Sequence, residues 1–160
     1  MRRKFIAVGS AVALLAASSL VSSTASATPA SEPPPAPAVG SMLVSTLDGP
    51  LKAKANGIEF KTKGNVVVRN FVLEYPAGSY SGWHQHPGLV MASVVSGSVT
   101  RYLPCQAPET FNVDDAFVEV GPHFVVSTGG AKLAITQIAP EGTGTPGNKP
   151  FREDLPEPVC

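Results

Sequence analysis

The stretch Gly78-Ser79-Tyr80-Ser81-Gly82-Trp83-His84-Gln85-His86-Pro87-Gly88, running on through Val90-Met91-Ala92-Ser93-Val94-Val95 to Ser96-Gly97, decides how this chain is read. Its pattern predicts two strands, Gly82–His86 and Val90–Val95, with turn signals at Pro87-Gly88 and Ser96-Gly97. Successive side chains on a strand point to opposite faces, so His84 and His86 share one face and Gln85 takes the other. Two imidazoles on one face can chelate a single ion. Trp83, on the opposite face, reads as packing or a contact with a second copy. The third and last histidine, His123, lies 37 residues beyond His86, at the start of another expected strand. It meets the pair only if a closed sheet brings the strands together.

Outward from this stretch the chain is a series of short Val-, Ile- and Phe-rich runs broken by Gly, Pro and Asn. Further strands are expected at 42–47, 58–62, 66–75, 98–103, 109–113, 116–120, 123–128 and 132–139, with turns at Lys63-Gly64-Asn65, Pro76-Ala77-Gly78 and Gly129-Gly130. No segment carries a convincing helical period with caps. The fold class is therefore all-β, a sandwich or a barrel spanning residues 41–140.

Both flanks differ from this body. Residues 1–27 combine Arg2, Arg3 and Lys4 with an apolar run from Phe5 to Leu15 and end in Ala25-Ser26-Ala27, the pattern of a signal peptide for secretion. Arg2-Arg3 before Phe5-Ile6 also has a weak twin-arginine character. The apolar run is too short for a membrane span, and no later stretch is long enough. Residues 28–40 hold five prolines and read as an extended, poorly packed linker. From Pro140 to Cys160, five prolines and three glycines predict an irregular tail over 141–160.

The whole chain is formally neutral, but removal of the signal leaves nine basic against twelve acidic residues, a charge of −3. With no basic cluster, nucleic acid and anionic membranes are excluded as expected partners. Cys105 and Cys160 are the only cysteines. In an exported chain their simplest reading is a disulfide worth roughly 3–5 kcal/mol in the chain-entropy model. The alternative is two free thiols, one of them metal-binding. Nucleophile elbows, phosphate loops, CxxC and HExxH patterns are absent from the sequence.

The spacing Gly78-x5-His84-x-His86 with Gly97 downstream resembles the first motif of the cupin family, and Asp115 to His123 resembles its second motif in compressed form. The resemblance covers about Val66 to Ala139, and the stretch around Gly82 to Gly88 is similar to small exported bacterial cupins with two cysteines, to which Cys105 and Cys160 would correspond. It implies a single jelly-roll barrel in which His84, His86 and His123 hold a divalent transition metal: Fe, Zn, Mn, Ni or Cu. It also implies dioxygenase, isomerase or epimerase chemistry on a small molecule, and a homodimer formed through sheet edges.

Two positions depart from the family pattern. The first-motif glutamate falls on Val90, or on Met91 in the longer spacing, and the usual Asn after the second-motif His falls on Ser127. Without that glutamate the site is expected to keep its full positive charge and to favour an anionic substrate or a bound hydroxide. Glu74, Glu119 and Gln137 are candidates for a replacement ligand or a general base. Among Tyr75, Tyr80 and Tyr102, candidate residues of the barrel mouth, Tyr102 is the first to test, and Tyr102 and Glu119 are the catalytic candidates. Two alternatives stand beside the enzyme: a non-catalytic extracellular module binding metal or a small ligand, and a barrel that has lost its metal and keeps the three histidines as hydrogen-bonded core groups.

Overall fold

In the computed structural model, which describes residues 26–160, thirteen strands follow one another: β1 (Ala36–Pro37), β2 (Leu43–Leu47), β3 (Lys52–Ala55), β4 (Ile58–Lys61), β5 (Val66–Tyr75), β6 (Ser79–Tyr80), β7 (His84–Gln85), β8 (Leu89–Tyr102), β9 (Glu109–Asn112), β10 (Ala116–Glu119), β11 (Phe124–Ser127), β12 (Ala131–Pro140) and β13 (Glu153–Asp154). A curled antiparallel sheet runs in the order β1-β5-β12-β8-β11-β6, with β2 beside β5 and both β9 and β10 beside β8. Strands β3 and β4 form a separate hairpin, and β13 pairs with β7. All pairings are antiparallel, as expected of a jelly-roll barrel.

Alternation builds the interior in layers. On β12, Ala131, Leu133, Ile135, Gln137 and Ala139 are buried while the residues between them face outward or lie half-buried. The register carries each inward residue into a row across the sheet. Leu73, Leu133 and Val94 form one row; Phe71, Ile135, Ala92 and Phe117 form the next. Burying each large side chain of these rows stabilises the barrel by roughly 1.5–3 kcal/mol. The following row is Arg69, Gln137, Val90 and Glu119. It breaks the apolar pattern at one end of the barrel, where the three histidines lie.

The turn expected at Ser96-Gly97 is a bulge instead. Residues 89–102 form one continuous strand, and its register against β12 slips between Lys132 and Leu133, leaving Val95 unpaired. The extra residue flips the inward parity from Val90, Ala92 and Val94 to Val99. Beyond it β8 leaves β12 and pairs with β9 and β11, which turns the sheet on itself.

The flanking segments lie against the barrel. The Pro-rich residues 28–40 are extended but seated: Thr28 donates to the Leu155 carbonyl, Ser31 to Tyr80 and Ala38 to Val72, and β1 adds to the edge of β5. A proline at a sheet edge forfeits no ladder donor, so this composition is compatible with edge pairing. The C-terminal tail is irregular except at β13, and Cys105 and Cys160 are joined in a disulfide. The expected signal peptide falls on residues 1–25, outside the described residues, and on Ser26-Ala27. Among the described residues no helix is long and apolar enough to cross a membrane.

Candidate metal centre

Two glycines with left-handed backbones prepare the site. Gly82 (φ 71°) and Gly121 (φ 73°) each precede a histidine by two residues. At both, the turned carbonyl accepts a hydrogen bond from the imidazole Nδ1: His84 from 2.9 Å and His123 from 2.8 Å. A side chain would disfavour that backbone. His86 donates its Nδ1–H to the Phe151 carbonyl at 2.8 Å. A carbonyl only accepts, so all three rings carry a proton on Nδ1, and Nε2 is the nitrogen that a neutral ring would offer to a ligand.

The three rings converge. Their ligand atoms all lie within 4.8 Å of one another, and the ring centroids of His84 and His123 are 4.2 Å apart. His84 and His123 are buried and His86 nearly so. Burial, followed by the charges of His123 and Arg152, holds the His84 imidazole down to about 3, against the pull of the Gly82 carbonyl. It is a neutral base at neutral pH.

Glu119 faces two of the three imidazoles. Its Oε2 lies 3.4 Å from His123 Nε2 and 3.5 Å from His86 Nε2, and the residue is 7 % exposed. Burial pushes its carboxyl up, but the hydrogen bonding and charge of His123 and His86 outweigh this and hold it below the ordinary carboxylate range. Glu119 is the direct cross-strand partner of Val90. A carboxylate thus stands across from Val90, the position where the resemblance expects a glutamate. The expectation of a site without an anionic group is corrected: one carboxylate faces the imidazoles. The alternation on β10 carries the signal, since an inward Phe117 makes Glu119 inward too. What sequence lacks is the register that puts it opposite Val90.

The donor set fits a metal ion. The Nε2 of His123 is fully buried, and the polar atom facing it is the Glu119 carboxylate oxygen at 3.4 Å. For donors about 2.0–2.2 Å from a shared ion in a tetrahedral array, neighbouring donors stand about 3.3–3.6 Å apart. The separations between Glu119 and the two imidazoles fall in that range.

The site opens onto a cavity of about 180 Å³ inside the barrel, reached by His84, His86 and Glu119. Phe71, Leu73 and Ile135 line its walls, and Pro35, Pro37 and Phe151 of the flanking segments border it. Tyr75 also reaches it; burial, then the charge of Glu119, pushes its phenol far up despite Arg152, so the proton stays on. Gln137 is buried and ties two walls together: its Nε2 donates to the Phe151 carbonyl at 2.8 Å and its Oε1 accepts from Arg69 at 3.1 Å. Its 3.2 Å approach to His86 Nδ1 joins two donors that share the Phe151 carbonyl. Tyr102 lies elsewhere. It is 36 % exposed and packs its ring on Phe124, 5.6 Å away, with Trp83 and Tyr80 on the same phenylalanine. Glu74 pairs with Lys132 across the outside of the sheet.

No family model matches the chain, and no curated protein matches it. Its neighbours among solved structures include cupin-superfamily and double-stranded β-helix proteins. A cupin-superfamily protein from Desulfitobacterium hafniense is 12 % identical with a TM-score of 0.42, covering 62 % of this chain and 79 % of its own. An uncharacterized conserved protein with a double-stranded β-helix domain from Klebsiella pneumoniae is 19 % identical with a TM-score of 0.41, covering 67 % and 84 %. Oxalate decarboxylase from Bacillus subtilis is 11 % identical with a TM-score of 0.46, covering 57 % of this chain but 28 % of its own.

Proposed function

We propose that this chain is a secreted cupin-type metalloprotein that holds one divalent transition metal through His84, His86 and His123, with Glu119 as the fourth donor, and receives a small molecule in the adjoining cavity. One observation carries the reading: three imidazoles, each with its Nδ1 on a backbone carbonyl, bring one ligand atom apiece to within 4.8 Å of one another. Histidines kept only as hydrogen-bonded core groups do not require three ring nitrogens to converge in this way.

In this reading the metal supplies Lewis acidity, or with Fe, Ni or Cu also redox chemistry, as a dioxygenase or an isomerase requires. The protein's own part is to fix the four donors, to exclude water with Phe71, Leu73 and Ile135, and to keep the Tyr75 phenol protonated at the cavity wall. The binding-module reading has one observation in its favour. With Glu119 turned to the imidazoles, Tyr75 is the titratable oxygen left on the cavity wall, and its proton is firmly held.

Export is part of the proposal, supported by the N-terminal sequence and by the Cys105–Cys160 disulfide. So is pairing of two copies along the edge of β2, where Leu43 and Val44 are exposed; sedimentation of the mature protein tests it. The metal itself is tested by elemental analysis. Wild-type protein is expected to carry close to one transition-metal ion per chain and a His84→Ala/His86→Ala double variant none. Equal metal content in the two would refute the assignment. Oxygen uptake or turnover by the loaded protein separates the enzyme from the module.

A further inference from the structure

Arg69 is the feature of the cavity that metal binding leaves unexplained. It begins the polar row that ends at Glu119, with Gln137 and Val90 between. The row spans three inter-strand spacings of about 4.8 Å each. A cation thus stands at one end and the proposed metal at the other. Among the described residues no carboxylate pairs with Arg69. Its Nη1 donates to Gln137 and its Nη2 to the Met42 thioether, so two of five N–H donors are used. The guanidinium lies over the Phe151 ring, 4.1 Å from its centroid, and within 5.3 Å of that of Phe71. Stacking of this kind holds the fork flat and leaves its edge open to an in-plane, bidentate acceptor.

Arg152, the other cation on the cavity wall, is spoken for. It pairs with Asp154 and donates to the Ser81 carbonyl. Glu119 is turned to the imidazoles. Gln137 stands between Arg69 and His86, and the wall beside them is apolar: Phe71, Leu73, Val90 and Ile135. The cavity therefore offers an open cationic edge at Arg69 and apolar surface beside it. The cavity, at about 180 Å³, is below the roughly 300–1,000 Å³ of drug-sized sites.

Resting on the metal site proposed above, we infer that the ligand of this cavity is a small monocarboxylate with an apolar body, its carboxylate gripped by the open edge of Arg69. Gln137 serves as the positioning residue that holds the guanidinium, since it bridges Arg69 to the Phe151 carbonyl shared with His86.

The test is calorimetric titration of the full mature chain, as purified with its metal, using pentanoate, pentanamide and pentylamine as probes of one shape. Pentanoate is expected to bind at least tenfold more tightly than pentanamide, and pentylamine not to bind. Arg69→Gln is expected to abolish the preference for pentanoate, and Arg69→Lys, which keeps the charge without the fork, to retain a part of it. Metal content of both variants is expected to match wild type, because Arg69 is not a ligand. Equal binding of pentanoate and pentanamide, no binding of pentanoate at millimolar concentration, or an unchanged preference in Arg69→Gln would overturn the inference. Absence of metal from the purified protein would sink the metal reading instead, while titration of that metal-free protein still reports on Arg69.

Discussion

The backbones of His84 and His123 exchange both of their hydrogen bonds, N–H to carbonyl, at 3.0 and 2.9 Å. The two residues stand directly opposite each other as an isolated antiparallel bridge. Such pairs hold their Cα atoms about 5.5 Å apart. The main chain, rather than side-chain packing alone, therefore sets the spacing of two of the three imidazoles, and each ring is oriented by the glycine carbonyl two residues before it. His86 is held differently, by a carbonyl of the C-terminal tail. The site thus has a rigid pair and a third donor whose orientation depends on how the tail is seated.

That dependence predicts a link between the disulfide and the metal. The tail reaches His86 through Phe151, pairs β13 with β7, and ends at Cys160 bonded to Cys105. Cys160→Ser, or reduction of wild type, is expected to lower stability by about 2–5 kcal/mol and to weaken metal binding, while leaving metal affinity of a Cys160→Ser variant insensitive to reductant. Melting curves and competition with a chromogenic chelator, each with and without reductant, check this. Unchanged metal affinity in the reduced protein would separate the tail from the site.

The cross-strand relation of Glu119 to Val90 predicts a rescue. Glu119→Gln is expected to weaken metal binding by roughly tenfold to a hundredfold. Adding Val90→Glu to that variant returns a carboxylate to the same row from the opposite strand and is expected to recover part of the loss. Chelator competition on wild type, the single variant and the double variant measures it. A Glu119→Gln protein with wild-type affinity would remove Glu119 from the ligand set.

Acid should destabilise the metal-free protein. The folded His84 takes up its proton only near pH 3, because of burial and then the charges of His123 and Arg152, whereas the unfolded chain does so near 6.5. Between these values the unfolded state binds more protons, so the contribution is full above about pH 6.5 and is lost as the pH falls toward 3. Glu119, held below its usual range, acts in the same direction. Chemical denaturation of chelator-treated protein at pH 7, 6, 5 and 4 should give steadily lower stability, with a shallower decline in His84→Asn. Stability rising toward pH 4 would contradict the burial of a neutral imidazole.

Much of this was legible in the sequence wherever the signal is local. The shared face of His84 and His86 follows from strand alternation alone, and the turns Lys63-Gly64-Asn65 and Pro76-Ala77-Gly78 bound the strand 66–75. Other parts were not, for physical reasons. Gly97 reads as a turn because a bulge uses the same residue, and only the partner strand reveals which is present. Glu119 was a candidate among three, since facing is set by a register between β8 and β10 that no local pattern encodes. Tyr102 was favoured over Tyr75 although Tyr75 alone of the two reaches the cavity; the bulge in β8 moves residue 102 to the part of the strand that pairs with β11. The linker and tail gave only composition, which tells that a segment is extended but not that Thr28 will bond Leu155 or that Phe151 will orient His86.

The central claim is most directly measured by anomalous diffraction from crystals of the purified protein, collected on both sides of the absorption edge of the metal found by elemental analysis. The account predicts a single peak among residues 84, 86, 119 and 123, about 2.0–2.2 Å from all three imidazole Nε2 atoms. No peak there, or a metal bound through Nδ1 with the glycine and Phe151 carbonyl bonds broken, would contradict it.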